Sequence, residues 1–517
     1  MCAVFGPIRS PAPSRAHPVV LPAEGWLSGR RQRFAKSSDW VTGPGGSNPP
    51  PSAIFFQYGQ NTKTMKRLHF FEIAAALPFC AAAGVLDNAW LKGVTDKDPL
   101  SYEPGERIEI TVVPMGIDGP VPEGEYRLEW KLTSDFDVEG EHGEKPFTGE
   151  PVSFETSLDR PGFVRLEAYV LGPDGKRYVK QFTGDASTPE GQKAMNAFEK
   201  AKKNVFFDGG AGVRPDLLEP PDEPADFDEF WARQFARLDN VPVKADRILL
   251  EGGNPKVDLY AVRVDCAGLR PVTGYLSVPK AVAEGRTFRA RLETHGYSGN
   301  RCTHGRPGWS RDDEIVLNIN AHGLKLVEFG GDEAYTKELR WEIRSGGKDY
   351  AFDPEQNKDP EVAYFNGMVL RVKRALQYLK TVEGWNGTEL VASGGSQGGL
   401  QTIWAAGCGE GVTLAESGIT WCCDLPFNAN RKGWYIPWVE GLGYYDAVTW
   451  AKRIPDGCFV NITRAGIGDY TCPPMGLAKL WNAIHPGNRS IHWVQGSEHG
   501  YVPPAYEGRD FDVRDAR

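Results

Sequence analysis

Leu390-Val391-Ala392-Ser393-Gly394-Gly395-Ser396-Gln397-Gly398-Gly399-Leu400 runs from a short apolar strand into a glycine-rich turn and on to the start of a helix. Within it, Gly394 to Gly398 satisfies the pattern G-x-S-x-G. A serine at such a bend takes a strained backbone conformation that lifts its hydroxyl above the sheet. Large side chains two residues before or after it would collide, which accounts for the glycines. Ala405 and Ala406 let the following helix pack closely on the strands. The pattern alone is common; a strand before it and a helix after it make Ser396 a candidate nucleophile rather than a plain glycine-rich turn.

A serine nucleophile needs a base and an acid, which in this arrangement follow in chain order. Three histidines come after Ser396: His485, His492 and His499. His499 lies in Gly496-Ser497-Glu498-His499-Gly500, just beyond an expected strand at 490–494, where α/β sheets place their catalytic groups. His492 falls inside that strand, and His485 precedes Pro486. The acid is expected after the preceding strand, 458–463, and Gly466-Ile467-Gly468-Asp469-Tyr470 offers Asp469. Asp446, in an expected helix, and Asp456, ahead of the strand, are the rivals. An oxyanion hole needs backbone N–H groups: one from Gln397, the other from the loop His295-Gly296-Tyr297-Ser298-Gly299 after an upstream strand. The residues alone leave the donor within that loop open. The triad requires no cofactor or metal, and the spacing of His295, His304, Asp312 and Asp313 matches no zinc pattern.

Outward from the elbow, strand, turn and helix recur from 236 to 517. This is the pattern of a mostly parallel, doubly wound sheet, and with the elbow it reads as an α/β-hydrolase fold. Expected strands include 258–264, 271–279, 288–294 and 314–319. Before it, 98–185 carries short alternating stretches separated by turn signals, as in an immunoglobulin-like all-β sandwich. Its role reads as a spacer or packing module, or as a carbohydrate-binding one. Residues 186–235 read as a proline- and glycine-rich linker with a packing helix over Phe227 to Leu238. Residues 1–64 have no durable periodicity and read as a misassigned or disordered extension. Met65-Lys66-Arg67 and the apolar run behind it make 65–86 a candidate signal peptide, implying a secreted or periplasmic protein. The alternative for that segment is a disordered tail before a short helix.

The formal net charge of -9 and the absence of a Lys/Arg-rich run argue against nucleic acid. No later stretch is apolar enough to span a membrane. Cys266, Cys302, Cys408, Cys422, Cys423, Cys458 and Cys472 follow the leader, an odd number without zinc-site spacing. Export would permit one or two disulfides among them. The 15 Trp, 18 Tyr and 25 Phe supply core, and some fit a surface that stacks on sugar rings.

Five pieces together resemble the acetyl xylan esterase / cephalosporin C deacetylase family, carbohydrate esterase family 7. They are Pro224-Ala225-Asp226-Phe227-Asp228-Glu229-Phe230-Trp231; His295-Gly296-Tyr297-Ser298-Gly299; Gly394-Gly395-Ser396-Gln397-Gly398-Gly399; Tyr444-Tyr445-Asp446-Ala447 with Ala451; and Gly468-Asp469 through Cys472-Pro473-Pro474, closing with Glu498-His499. The resemblance covers about residues 222–505. It implies a Ser396–Asp469–His499 triad, an oxyanion hole from the amides of Tyr297 and Gln397, and hydrolysis of acetyl groups from acetylated carbohydrates such as xylo-oligosaccharides. It also implies a homo-oligomer. Where the family has Asp-x-Arg-Gly-Gln-Gly, this chain reads Asn320-Ala321-His322-Gly323-Leu324-Lys325. That departure, with the aromatic stretch Trp434-Tyr435-Ile436-Pro437-Trp438 and the extra sandwich, marks a divergent branch. The alternative functions are an esterase for a non-sugar small molecule or a serine peptidase. The 150 or so residues before the catalytic part are too few for the propeller such peptidases often carry.

Overall fold

Apolar residues at every second position make strands that must bury one face, and the first part of the chain does so by pairing two sheets. The computed structural model describes residues 84–298, 310–332, 342–428 and 435–506. One sheet is β1 (Trp90–Thr95), β2 (Ile108–Met115) and β5 (Val152–Thr156), in the order β1-β2-β5. The other holds β3 (Arg127–Ser134), β4 (Glu141–Pro146), β6 (Gly162–Leu171) and β7 (Phe206–Val213), in the order β4-β3-β6-β7. All pairings are antiparallel. Ile108, Ile110 and Val112 from one sheet meet Leu128, Val164, Leu166, Ala168 and Val170 from the other in a single core.

Two boundaries differ from the sequence reading. Leu86 and Ala89 are fully buried in the sandwich core, so the folded body begins before residue 98 and includes the end of the 65–86 segment. The stretch 186–235 is not simply a linker. It holds a helix, Pro189–Lys200, capped by the Thr188 hydroxyl, and then β7, which is buried along its whole length. The run Gly209-Gly210-Ala211-Gly212 lies inside that strand. Glycine disfavours strands in general, but it suits one pressed closely between neighbours. The expectations for 1–64 and for 65–83 lie outside the described residues, as do those for Gly299, Cys302, His304 and Trp434.

The second part is a nine-stranded sheet with β8 (Ala245–Leu250), β9 (Val257–Val264), β10 (Val272–Pro279), β11 (Phe288–Thr294), β12 (Ile315–Ile319), β13 (Trp385–Gly395), β14 (Leu414–Gly418), β15 (Phe459–Gly466) and β16 (Arg489–Val494). Their order is β16-β15-β14-β13-β11-β12-β10-β9-β8. From β12 to β16 every pairing is parallel; β8, β9 and β10 are antiparallel. Parallel strands need helical crossovers, which cover both faces and explain why the central strands are apolar on both sides. Helix Tyr364–Leu379 is buried along most of its length, and helix Gln397–Gly407 is more so. Helix Phe227–Asp239 adds Phe230 and Trp231 to a cluster with Tyr444 and Trp450. This is the α/β-hydrolase architecture, with the strand order reversed once at β11 and β12. Among the described residues no helix is long and apolar enough to cross a membrane.

Because Leu86 is fully buried, Leu86→Ala is expected to lower the unfolding free energy by about 2–5 kcal/mol. Thermal or urea unfolding of the full chain measures it; an unchanged midpoint would place Leu86 outside the cooperative fold.

Candidate active site

Ser396 caps the helix Gln397–Gly407 directly after β13, with φ 59° and ψ -120°. A non-glycine residue held there costs about 1–3 kcal/mol and persists only when its surroundings over-determine it. They do. The Ser396 N–H donates to Gly418 O at 2.8 Å, and Ser396 O accepts from the Trp421 N–H at 3.1 Å. The flanking glycines are required by contact: a Cβ on Gly394 would lie 2.4 Å from Thr294 Oγ1, and one on Gly398 2.7 Å from Thr294 O. Thr294 itself donates to Gly398 O at 2.8 Å, tying β11 to the first turn of the helix. Strain continues into the next segment, where Ile419, Cys422 and Asp424 also have positive φ.

Asp469 and His499 come together from two loops at the carboxyl ends of β15 and β16. The Asp469 carboxylate is fully buried and its Oδ2 stands 3.0 Å from His499 Nδ1. Its Oδ1 accepts the N–H groups of Thr471 and Cys472, both at 3.0 Å. A carboxylate so placed accepts a hydrogen bond from Nδ1–H and leaves Nε2 as the basic nitrogen. The Cys472 thiol lies within hydrogen-bonding reach of the Ser396 side chain, and its sulfur is within 4.8 Å of ligand atoms of both Asp469 and His499. Burial pushes this thiol well above its ordinary range, so it stays protonated. The six described cysteines are all unpaired.

The rival acids sit elsewhere. Asp446 caps the helix Ala447–Ala451 and accepts the N–H groups of Asp424, Leu425 and Val448. Burial, not a histidine, holds its carboxyl up at about 7. Asp456 is exposed, 3.9 Å from the equally exposed His485.

Gln397 begins its helix with its side chain fully buried, and the loop carrying Tyr297 is pinned from several sides. Tyr350 accepts the Ser298 N–H at 3.0 Å and donates to Gln397 Oε1 at 2.8 Å, so one hydroxyl bridges the two segments read as oxyanion donors. The Tyr297 ring stacks on Tyr350 at 4.1 Å, and its hydroxyl donates to Tyr350 O. His322, from the stretch that departs from the family pattern, donates from Nε2 to Ser298 O at 2.6 Å and accepts from Tyr364 at 2.8 Å. Desolvation lowers it from 6.5 to about 3, so it is neutral here. His295 accepts the Ala321 N–H at Nε2 and therefore donates from Nδ1 to Gly296 O at 2.7 Å. Neither Tyr350 nor the role of His322 is visible in the sequence, because both lie far from the loop along the chain and belong to no motif. Beside the elbow, Trp421, Cys422, Leu425, Tyr435, Ile436 and Thr471 line a crevice of about 10 Å³.

Two outcomes follow from this bracing. Tyr350→Phe removes both bridging bonds and is expected to lower kcat on the order of tenfold, less than the 10²–10³ of losing an oxyanion donor outright; steady-state kinetics reads it. The second concerns acid. The unfolded imidazole of His322 takes a proton below about 6.5, the folded one only below about 3, so between these the unfolded state binds more protons and stability falls as pH falls. His322→Gln is expected to flatten that slope by up to about 1.4 kcal/mol per pH unit, measured by urea unfolding across the window.

A family model described as acetyl xylan esterase (AXE1) matches residues 219–433. Acetyl esterase Axe7A of Xylanibacter ruminicola is 26% identical over 399 residues, 69% of this chain and 85% of that protein. Among solved structures, acetyl xylan esterase from Paenibacillus sp. R4 is 24% identical, with a TM-score of 0.47 over 57% of this chain and 95% of the other. Acetyl xylan esterase 1 from Thermoanaerobacterium sp. JW/SL YS485 is 18% identical, with a TM-score of 0.46 over 56% of this chain and 93% of the other. The matched segment contains both Ser396 and Tyr297, and over it this divergent chain is similar to acetyl xylan esterases; the chain is a carboxylic ester hydrolase.

Proposed function

We propose that the chain removes acetyl groups from acetylated carbohydrates such as xylo-oligosaccharides, with Ser396, Asp469 and His499 as its triad. The observation that carries this is the 3.0 Å contact between His499 Nδ1 and a buried Asp469, beside a serine held at positive φ. Ser396 attacks the ester carbonyl and His499 Nε2 takes its proton. The oxyanion is stabilised by the amides of Tyr297 and Gln397, at the start of a helix whose dipole favours negative charge. His499 then protonates the departing sugar oxygen, and water, activated by the same imidazole, hydrolyses the acetyl-enzyme. Asp469 holds the imidazole in the tautomer this requires and stabilises the imidazolium. The bulky apolar side chains beside the elbow, Trp421, Leu425 and Ile436 among them, support a small acyl pocket. Export is part of the same proposal and rests on the basic-then-apolar stretch from Met65.

The test uses wild type and variants on acetylated xylo-oligosaccharide and on aryl esters of increasing acyl length. S396A and H499A are expected to abolish covalent turnover to a similar degree, because triad members act as one unit. D469N is expected to keep the fold and lose on the order of 10⁴ in kcat. Aryl ester hydrolysis is expected to fall steeply beyond butanoyl; preference for long acyl chains would overturn the substrate class. An intact D469N with the wild-type rate would overturn the acid.

A further inference from the structure

The polar face of β6 is only partly open to water. Arg165 on that face makes a two-pronged bond with Asp208 of β7: Nε to Oδ1 at 2.8 Å and Nη2 to Oδ2 at 2.6 Å. The Asp208 side chain is 3% exposed. This pair lies directly against the loop that carries Asp469. On one side of the acid, Gly468 packs on Asp208, so closely that a Cβ there would fall 1.8 Å from Asp208 O. On the other side, the Arg165 guanidinium stands 4.1 Å above the ring of Tyr470.

The histidine loop is gripped by the same strand. The Gln495 amide exchanges two hydrogen bonds with Gly210: it accepts the Gly210 N–H at 3.0 Å and donates to Gly210 O at 2.7 Å. A side chain thereby extends the ladder of β7 onto the residue after β16. Phe206 packs on Tyr501 at 4.8 Å, beyond His499. Lys202, just before β7, forms an ion pair with Glu498. Phe163 completes the joint by packing on Trp493 and, with Ile467 and Met475, forming an apolar cluster shared by both parts of the molecule.

Loops are ordinarily the mobile parts of such a sheet, and a displacement of about 1 Å in a catalytic group can cost about a hundredfold in rate. Here both loops that supply triad partners close against one rigid sheet that is not part of the hydrolase fold. We propose that the sandwich is a working part of the active site: Arg165, Asp208 and Gln495 are positioning residues that hold Asp469 and His499 in register. The inference rests on the triad reading above. It gives β7 and the half-buried polar face of β6 a purpose that a spacer or a carbohydrate-binding module does not require.

Among the described residues, the charged and titratable groups facing His499 are Asp469 and Cys472 from the acid loop, Arg464 of β15, which donates to His499 O at 3.0 Å, and the Glu498–Lys202 pair beside it. If the clasp is loosened, the Asp469 carboxylate stabilises the imidazolium less, and the acidic limb of the pH profile moves to lower pH. Gln495→Leu removes both bonds to Gly210 at similar bulk. The double variant Arg165→Met/Asp208→Leu replaces the ion pair by apolar side chains and avoids stranding a buried carboxylate. Both are made in the full chain and assayed with 4-nitrophenyl acetate. The expected result is a kcat lower by about tenfold or more, a KM within about twofold, and an acidic limb of kcat/KM displaced to lower pH. A wild-type kcat and an unmoved limb in each variant that folds, whatever its melting temperature, overturn the proposal, because a merely structural joint alters stability alone. D469N in the same series separates the two levels. If it is inactive while the clasp variants behave as wild type, only this inference falls; if it is fully active, the triad reading falls and this inference with it.

Discussion

The site depends on one constraint: a non-glycine residue, Ser396, must be kept at a positive φ where a strand turns into a helix without a loop. Left alone, that backbone would relax. It is held because its own N–H and C=O are both engaged, by Gly418 O and the Trp421 N–H, and because Gly394 and Gly398 let β11 approach to contact distance. The glycines are therefore part of the mechanical support of the serine, through the absence of their side chains.

Support on that scale transfers demand to the neighbours. The segment after β14 carries its own positive φ values at Ile419, Cys422 and Asp424, and it is stabilised in turn by Asp446, whose carboxylate takes the N–H groups of Asp424 and Leu425. On the other side, the loop of Tyr297 is fixed by Tyr350 and His322. A neutral, buried histidine with one donor and one acceptor can bridge a carbonyl and a hydroxyl without bringing a charge near a developing oxyanion. These are separate contacts with one consequence: under the proposed mechanism the groups that would meet the substrate are already arranged, which leaves little reorganisation for the reaction step.

Much of the catalytic half was legible from local pattern. The elbow, the strands at 288–294 and 490–494, and the pairing of an acid and a histidine on successive loops follow from short-range rules, since each depends on residues adjacent in the chain. The placement of Asp446 and Asp456 away from the histidine was also argued from local position, and the geometry agrees: one caps a helix, the other faces solvent. What sequence reading missed shares a different property. Tyr350 and Cys472 act through partners 47 and 76 residues away along the chain, Gln397 and Ser396, and no periodicity signals such a meeting. β7 was missed because its glycines argue against a strand; a Cβ on Gly210 would fall 1.9 Å from Val164 O and one on Gly209 2.3 Å from Gln495 Oε1, approaches that only the tertiary structure reveals.

By itself the sequence determined the chemistry on offer: a serine forced into a bend by its flanking glycines, a histidine and an aspartate at strand ends, and apolar periodicities that require a covered sheet and a sandwich. These are decided within a few residues by sterics and by the side-chain period of each element. Tertiary structure alone decided how the two parts meet. The alternation in β6 shows that one face is polar, and in an isolated sandwich that face would be solvated. Whether Arg165 faces water or a buried Asp208 under the Asp469 loop depends on which surface covers it, and that surface is built from residues some 300 positions further along the chain.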